Sequence, residues 1–255
     1  CPQAWFLNYV NPMAMITGAV LQATGIRAVG LCHSVQGCAE HLLRQLDMLE
    51  GVRKLQWKIA GINHQAWLLE ITDGGRDLYP EIRRRAAEKN AAARKPGAPK
   101  HHDMVRFELM LQFGYYVTES SEHSSEYVPW FIKRDHPELI EEFNIPLDEY
   151  PRRCLAQIAG WEKQRRQLVE NAKLTHKRTG EFGSYIMEAM ETGQAIRIHG
   201  NILNGGLIPN LPREACVEVP CLVDRNGVQG VFVGDLPEPC AAVNRTNINV
   251  QLLAI

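Results

Sequence analysis

Residues 28–34, Ala-Val-Gly-Leu-Cys-His-Ser, form an apolar, strand-like run that ends in a thiol and an imidazole. A second run of the same kind, residues 58–64 (Lys-Ile-Ala-Gly-Ile-Asn-His), ends in Asn63 and His64. In α/β folds, the groups that bind ligands lie at the ends of buried strands. The two runs therefore predict an α/β fold that presents Cys32 and His64 from two different strands.

Cys32 and His64 are residue types that bind catalytic divalent metals, and a thiolate with an imidazole would by itself suggest zinc. One cysteine and one distant histidine are nevertheless a weaker signal than the paired ligands of a zinc finger. On these two residues alone, a small buried cysteine and a hydrogen-bonded core histidine are the simpler competing interpretation.

The remaining hydrophobic patterns predict a mixture of helices and strands. Strands are expected at 5–10, 27–31, 55–62 and 66–72, and a hairpin is expected to join 217–223 to 228–233. Helices are expected at 12–23, from Ser34 as N-cap to about residue 49, and at 79–94, 103–113 and 147–173. The stretch 95–102, which contains Pro and Gly, is expected to be a loop.

Length and composition are those of a globular chain. Its 255 residues are 45% hydrophobic, which is enough for a sizeable core, and the net charge is −1. Lys and Arg are scattered, so nothing indicates a nucleic-acid partner, and no apolar run is long enough for a membrane span. Seven irregularly spaced cysteines indicate free thiols in a reducing compartment, which predicts a cytoplasmic location.

A series of short motifs covers most of the chain. They are residues 8–15 (NYVNPMAM), 30–37 (GLCHSVQG), 60–64 (AGINH), 116–123 (YVTESSEH), 126–133 (EYVPWFIK), 146–151 (PLDEYP), 210–212 (NLP) and 216–219 (CVEV). In this order they resemble the NAD- and manganese-dependent glycoside hydrolases of family 4, and within that family the α-galactosidases. The ordered set is far more specific than any one of its motifs.

The resemblance implies a fold and a division of the chain. Residues 51–255 would be an α+β substrate- and metal-binding domain, similar to the C-terminal domain of the lactate/malate dehydrogenase-like glycosidases. Residues 1–50 would be the strand-helix-strand-helix end of a Rossmann nucleotide-binding domain. No Gly-x-Gly-x-x-Gly fingerprint occurs in the sequence. We therefore expect the chain to lack the N-terminal Rossmann half and to be truncated before the family's last helices.

The resemblance also implies hydrolysis of α-galactosides with NAD+ and Mn2+ as cofactors. In this route the sugar is oxidised at C3, a base removes the C2 proton, the leaving group departs, water adds, and C3 is reduced again. Cys32 and His64 would hold Mn2+ at the sugar oxygens. His33, beside the metal ligand, would protonate the leaving oxygen, since an imidazole titrates near neutral pH.

The base is expected in the segment 114–123, with Glu119 as the first candidate and Tyr116 as the second. A buried carboxylate there would have a raised pKa suited to base catalysis, whereas the plain alternative is an exposed Ser/Glu loop. The expected contacts to the sugar or cofactor are Asn8, Asn11, Asn63, His123 and Arg213.

Asn11-Pro12 also matches the Asn-Pro of lactate and malate dehydrogenases, where the amide lies between nicotinamide and substrate. Asn and Pro equally suit a simple turn from strand to helix.

Other functions remain open on the sequence. The substrate could be an α-glucoside or an α-galacturonide of the same family. A 2-hydroxy-acid dehydrogenase would share the architecture, but it would use a catalytic His with an Arg clamp and no metal. A metal-binding or assembly role without catalysis would follow from the absent nucleotide half. The resemblance further implies a small-molecule α-glycoside as partner and a homodimer or homotetramer.

Overall fold

The computed structural model describes residues 1, 3–171, 173 and 177–255. Among these residues a mixed nine-stranded sheet carries packed helices, which confirms the expected α/β class. The strands are β1 (Trp5–Asn8), β2 (Arg27–Gly30), β3 (Leu55–Ile62), β4 (Gln65–Asp73), β5 (Arg76–Asp77), β6 (Tyr116–Val117), β7 (Ile196–Leu203), β8 (Cys216–Asp224) and β9 (Gly227–Gly230). Their order is β1-β2-β7-β8-β3-β4-β5, with β6 on β4 and β9 on β8.

The helices of the described residues lie between and around these strands. They are α1 (Met13–Ala23), α2 (Cys38–Gln45), α3 (Tyr79–Ala93), α4 (Met104–Phe113), α5 (Ser121–Glu126), α6 (Glu138–Glu142), α7 (Glu149–Val169), α8 (Phe182–Thr192) and α9 (Glu238–Ala254). A 3₁₀ turn spans Leu49–Gly51. Because β1 and β2 are parallel, α1 serves as the crossover that parallel neighbours need, whereas β7, β8, β3 and β4 pair antiparallel.

Most of the predicted elements are present. The β3–β4 pair and the β8–β9 hairpin confirm the two strand pairs that the alternating patterns predicted. The prediction that Ser34 caps a helix is wrong. Residues 34–37 form a turn, and α2 begins at Cys38 with Gly37 as its N-cap. The Ser34 hydroxyl lies 3.1 Å from the Cys32 sulfur instead. It therefore contacts the residue that follows β2 and does not cap α2.

Strand β7 and helix α8 were missed on the sequence. Strand β7 alternates apolar and polar side chains, but two of its polar residues, His199 and Asn201, are buried. The alternation itself is typical of a strand, but the polar residues of such a strand normally face solvent, and here they are buried. The strand is central, because it joins β2 to β8 and thereby connects the N-terminal strands to the rest of the sheet.

One row of residues crosses four neighbouring strands. Gly30 of β2 pairs with Asn201 of β7, Asn201 pairs with Glu218 of β8, and Glu218 pairs with Gly61 of β3. Glycine is required at both ends of the row: a Cβ on Gly30 would lie 2.3 Å from the Met13 sulfur, and one on Gly61 would lie 2.7 Å from a neighbouring backbone Cα. The row therefore brings the end of β2 close to the end of β3.

Two features bear on the compositional predictions. None of the helices in the described ranges is long and apolar enough to cross a membrane. All seven cysteines fall in the described part of the chain and all are free, as predicted.

Candidate active site

Three side chains from different parts of the chain meet at one point. The described residues contain a cluster of Cys32, His64 and Glu119, in which one ligand atom from each residue lies within 4.8 Å of the others. Cys32 follows the end of β2, His64 lies in the tight turn between β3 and β4, and Glu119 lies between β6 and α5. His64 has a φ of 62°, a left-handed conformation that is uncommon outside glycine and often marks functional sites.

The imidazole of His64 is held on several sides. It stacks on the ring of His123 with the centroids 5.0 Å apart, and its Nδ1 lies 3.4 Å from the Tyr127 hydroxyl. Its Nε2 lies 3.6 Å from Oε2 of Glu119. Because Nδ1 faces Tyr127, Nε2 is the nitrogen that faces the cluster.

Glu119 is fixed by the buried guanidinium of Arg106. This group donates hydrogen bonds to the carbonyl oxygens of Val117, at 2.9 Å, and Thr118, at 3.0 Å, directly before Glu119. Arg106 also pairs at 3.0 Å with the buried carboxylate of Asp103. The Glu119 Oε1 accepts from the backbone N–H of Ser120, so Oε2 is the oxygen left towards the cluster.

Burial dominates the protonation equilibria of the site. It raises the pKa of the Cys32 thiol to about 11, and the negative charge of Glu218 adds to the rise. Burial lowers the pKa of His64, and the nearby Glu119 carboxylate opposes that shift only in part. At neutral pH the metal-free site therefore holds a thiol and a neutral imidazole. Burial also raises the pKa of Glu218 to about 8, against the hydrogen bond from Asn201.

These shifts predict that cation binding depends on pH. A metal must displace the thiol proton of Cys32, whose pKa is about 11, so each unit of pH increase below that value should raise Mn2+ affinity about tenfold. We expect this slope from about pH 6 to about pH 9, measured by electron paramagnetic resonance of free Mn2+. A Cys32→Ser variant is the control, because a serine hydroxyl does not ionise in this pH range and the slope due to the thiol should disappear. A flat profile for the unaltered protein would mean that Cys32 is not a ligand.

The donor set fits a divalent cation. A sulfur, a nitrogen and a carboxylate oxygen converge, and Cys32 is buried while His64 and Glu119 are half-buried. Thiolate and imidazole also suit zinc, whereas the carboxylate oxygen is a donor that manganese accepts well. Cys32 and His64 as the two ligands would leave coordination positions for the oxygens of a substrate, as catalytic sites require, and would leave the Glu119 carboxylate beside them free to act as a base.

A small pocket of about 100 Å³ adjoins the cluster. Its lining includes Asn11, Asn63, Tyr127, Asn247 and Gln251. The amide nitrogen of Asn63 and the amide oxygen of Gln251 are buried and have no hydrogen-bond partner among the described residues. A buried polar group normally has a partner, so these two atoms fit a ligand that offers both an acceptor and a donor, as the carboxamide of a nicotinamide does.

His123 stacks on His64, and Asn63 and Asn11 line the pocket beside the cluster. Other predicted residues have different surroundings. His33 is exposed and its Nε2 lies 2.9 Å from a carboxylate oxygen of Glu181, so in this structure its imidazole is turned to Glu181. Asn8 is buried. Its amide nitrogen donates to the Thr17 hydroxyl at 3.0 Å, and its amide oxygen accepts from the backbone N–H of Val10. Asn8 therefore stabilises the turn that leads into α1.

Two predicted residues lie away from the cluster. Tyr116 is fully buried against Phe107 and Arg106, and burial raises its pKa well above the usual range. It therefore contributes to the core, and its hydroxyl has no hydrogen-bond partner among the described residues. Arg213 is exposed on the loop after β7, packed beside Gly206. The carbonyl oxygen of the adjacent Glu214 accepts a hydrogen bond from the side chain of Gln22, near the C-terminal end of α1. Asn11 lies just before the N-terminal end of the same helix, so Arg213 and Asn11 are at opposite ends of α1.

Four residues around the cluster were not singled out as site residues on the sequence. They are Tyr127, Asn247, Asn201 and Glu218. Tyr127 and Glu218 belong to two of the quoted motifs, 126–133 and 216–219, and that was the available signal. Asn247 lies on α9, where its amide donates to the carbonyl of Tyr127 at 3.3 Å. No local pattern indicates Asn201, since its neighbours in space are far away in sequence.

The fold and the three-residue cluster define a mixed α/β domain whose converging sulfur, nitrogen and carboxylate oxygen are donors of the kind that bind metals. Residues 59–255 match the model of the family 4 glycosyl hydrolase C-terminal domain, and residues 1–48 match that of the family 4 glycosyl hydrolases. The chain therefore belongs to family 4 of the glycosyl hydrolases, as the motifs predicted. An α-galactosidase of Bacillus subtilis (strain 168) is 59% identical over 256 residues, covering 100% of this chain and 57% of the relative. The chain thus spans about half the length of the curated relatives it matches.

Solved structures share the fold. The crystal structure described as a glucosidase, LplD, from Bacillus subtilis has a TM-score of 0.85 at 24% identity and covers 100% of this chain and 61% of its own. A 6-phospho-α-glucosidase from gut microorganisms, in complex with NAD and Mn2+, has a TM-score of 0.67 at 20% identity, with 99% and 58% covered.

Proposed function

We propose that the full-length protein hydrolyses α-galactosides with NAD+ and Mn2+ as cofactors. The observation that carries this proposal is the meeting of Cys32, His64 and Glu119 within 4.8 Å, in a chain that is 59% identical to an α-galactosidase. A family neighbour with the same fold was crystallised with NAD and Mn2+, which supports these cofactors. Bound manganese would argue against the 2-hydroxy-acid dehydrogenase alternative.

The two cofactors supply chemistry that side chains lack. When bound, NAD+ provides reversible hydride transfer at the sugar, and the divalent cation provides a Lewis acid for the sugar oxygens. Cys32 and His64 would hold the cation, and the pocket lined by Asn11 and Asn63 would hold the nicotinamide end of NAD+. Asn63 would donate from its unpartnered amide nitrogen, whereas Asn11 would offer an exposed amide at the rim.

Side chains of this chain would move the protons. Glu119, with Oε2 directed at the cluster, would accept the C2 proton of the oxidised sugar. His33 would donate a proton to the leaving oxygen, and Glu181 would orient its imidazole. His123, stacked on His64, would line the sugar site. The stack also limits rotation of the His64 ring about its side chain.

The division of the chain and its assembly are part of the proposal. Residues 1–50 would be the end of a nucleotide-binding domain, and 51–255 would be the substrate- and metal-binding domain. A homodimer or homotetramer in the cytoplasm is the expected form. The free cysteines agree with a reducing compartment.

A hydrolysis assay of the full-length protein tests the function. We expect release of 4-nitrophenol from 4-nitrophenyl α-galactoside to require NAD+, Mn2+ and a reductant, each omitted in turn. In D2O, deuterium should appear at C2 of the product, because C2 is deprotonated during the reaction. The reductant is needed because the Cys32 thiol must stay reduced to bind the cation.

Other outcomes of this assay separate the alternatives. Activity confined to α-glucosides or α-galacturonides would keep the family chemistry and change the sugar. Hydrolysis that is indifferent to NAD+ and Mn2+ would refute the oxidation route and require an ordinary pair of carboxylates. Oxidation of a 2-hydroxy acid without any glycoside cleavage would favour the dehydrogenase.

A further inference from the structure

The cross-strand row beneath the metal cluster contains two buried polar residues that the proposed reaction does not use. Asn201 and Glu218 are both 0% exposed. They occupy the middle of the row, between Gly30 and Gly61. Cys32 lies two residues beyond Gly30, and His64 lies three residues beyond Gly61. The row is therefore the shortest route through the sheet between the two ligand-bearing strand ends.

The contacts of Asn201 connect the strands of this row. Its amide nitrogen donates to the carbonyl oxygen of Gly30 at 3.3 Å and to Oε1 of Glu218 at 3.0 Å. The register between β2 and β7 consists of the single pair Gly30–Asn201, and that between β8 and β3 consists of the single pair Gly61–Glu218. At the β2–β7 joint the bond from Asn201 to the Gly30 carbonyl adds to this single main-chain pair, whereas the bond to Glu218 lies between β7 and β8, which are paired along their length.

Burial of these two polar side chains destabilises the fold, so their presence in the sheet calls for a functional reason. Oε2 of Glu218 and Oδ1 of Asn201 have no hydrogen-bond partner among the described residues. Two apolar residues at these positions would avoid that cost, since unpartnered buried polar atoms destabilise a core. Oε1 of Glu218 accepts the bond from Asn201, so the two side chains lie on the same face of the sheet.

We propose that Asn201 and Glu218 are a positioning pair that holds the strand ends bearing Cys32 and His64 at the spacing of a single cation site. The inference rests on the proposed metal site. Neither residue is a ligand: Asn201 acts on Cys32 through the carbonyl of Gly30, and the side chain of Glu218 acts by holding the Asn201 amide in place. Glu218 also pairs through its main chain with Gly61, on the strand that leads to His64.

Mn2+ affinity of the full-length protein tests the pair. Asn201→Leu removes both side-chain bonds, and we expect it to weaken Mn2+ binding by about tenfold or more. Glu218→Met removes only the bond between the pair and should have a similar effect, whereas Glu218→Gln keeps an acceptor for Asn201 and should stay within about threefold of the unaltered protein. Electron paramagnetic resonance of free Mn2+ gives each dissociation constant.

A spectroscopic readout separates positioning from general loss of structure. With Co2+ in place of Mn2+, the thiolate-to-cobalt absorption band reports the geometry at Cys32, and it should shift in Asn201→Leu and Glu218→Met but not in Glu218→Gln. His199→Phe is the matched control, because His199 is a buried polar residue on the same face of β7, two residues from Asn201. Its cobalt spectrum should match that of the unaltered protein.

The results that would overturn the inference are distinct from a failure of the proposed function. If the unaltered protein binds no Mn2+, the metal site itself is wrong. If it binds Mn2+ and both Asn201→Leu and Glu218→Met bind equally well, the pair does not position the ligands. Equal losses in Glu218→Gln and Glu218→Met would show that charge acts and the hydrogen bond does not. Should Asn201→Leu fail to fold, the two Glu218 variants decide the question.

Discussion

Cys32→Ser and His64→Ala are each expected to weaken Mn2+ binding by about a hundredfold or more and to remove hydrolytic activity in parallel. Either change takes away one of the two residues proposed to hold the cation, in a cluster whose ligand atoms lie within 4.8 Å of one another. Serine keeps the volume at position 32 nearly unchanged, but its hydroxyl does not ionise at neutral pH and cannot replace a thiolate. The measurement is a Mn2+ titration followed by electron paramagnetic resonance, together with the rate of glycoside cleavage.

The matched control for this prediction is Cys240→Ala. Cys240 is also fully buried, and burial also raises the pKa of its thiol, to about 12, but it lies on α9 outside the cluster. Its loss should leave Mn2+ affinity unchanged. Wild-type affinity in both Cys32→Ser and His64→Ala would refute the shared cation site and favour the buried-cysteine and core-histidine interpretation.

Arg106→Met is expected to lower the free energy of unfolding by about 3–5 kcal/mol. The guanidinium is buried, pairs with Asp103, and satisfies the carbonyls of Val117 and Thr118. Methionine fills much of the space but leaves a buried carboxylate and two carbonyl oxygens with weaker or no partners. Urea unfolding of the full-length protein, monitored by tryptophan fluorescence, gives the value, since Trp67 is buried in the same part of the fold.

This loss should depend on pH in a defined direction. Burial alone would raise the pKa of Asp103, but its bonds to His41 and Arg106 outweigh burial and hold the pKa below the usual range. A carboxylate whose pKa is lower in the folded than in the unfolded protein stabilises the fold at pH values above its unfolded pKa, which is about 4. That stabilisation disappears as the pH falls through the folded pKa. The difference between Arg106→Met and the unaltered protein should therefore shrink in acid.

An exposed arginine provides the comparison. Arg84 pairs with Glu81 and Glu88 on the surface of α3, where water screens the charges, so Arg84→Met should change stability little. Because Arg106 also holds the segment before Glu119, its replacement should reduce hydrolysis even at temperatures where the protein stays folded. An unfolding free energy equal to that of Arg84→Met would contradict the structural role assigned to Arg106.

The local patterns were sufficient where one face of an element is apolar and its ends carry turn residues. Strands β3 and β4, the β8–β9 hairpin, α3 and α4 were predicted close to their observed limits for this reason. Helix α2 was placed too early, because Ser34 is a good capping residue whose hydroxyl is engaged by Cys32. Strand β7 was not predicted, and its buried polar residues, His199 and Asn201, depart from the rule that the polar residues of a strand face solvent.

The features of the site can be divided in the same way, into those that the sequence indicates and those that only the structure reveals. The sequence alone supplied the family, the thiol and imidazole at two strand ends, and Glu119 as a carboxylate in a quoted motif. These features are local, because a motif records which residues stand together along the chain. Only the tertiary structure decided that the three side chains meet, that Tyr116 is buried in the core, and that Asn201 and Glu218 face each other on neighbouring strands. Those facts depend on strands β2, β7, β8 and β3 becoming neighbours, and sheet pairing between distant segments leaves no periodic signal in the sequence of any one of them.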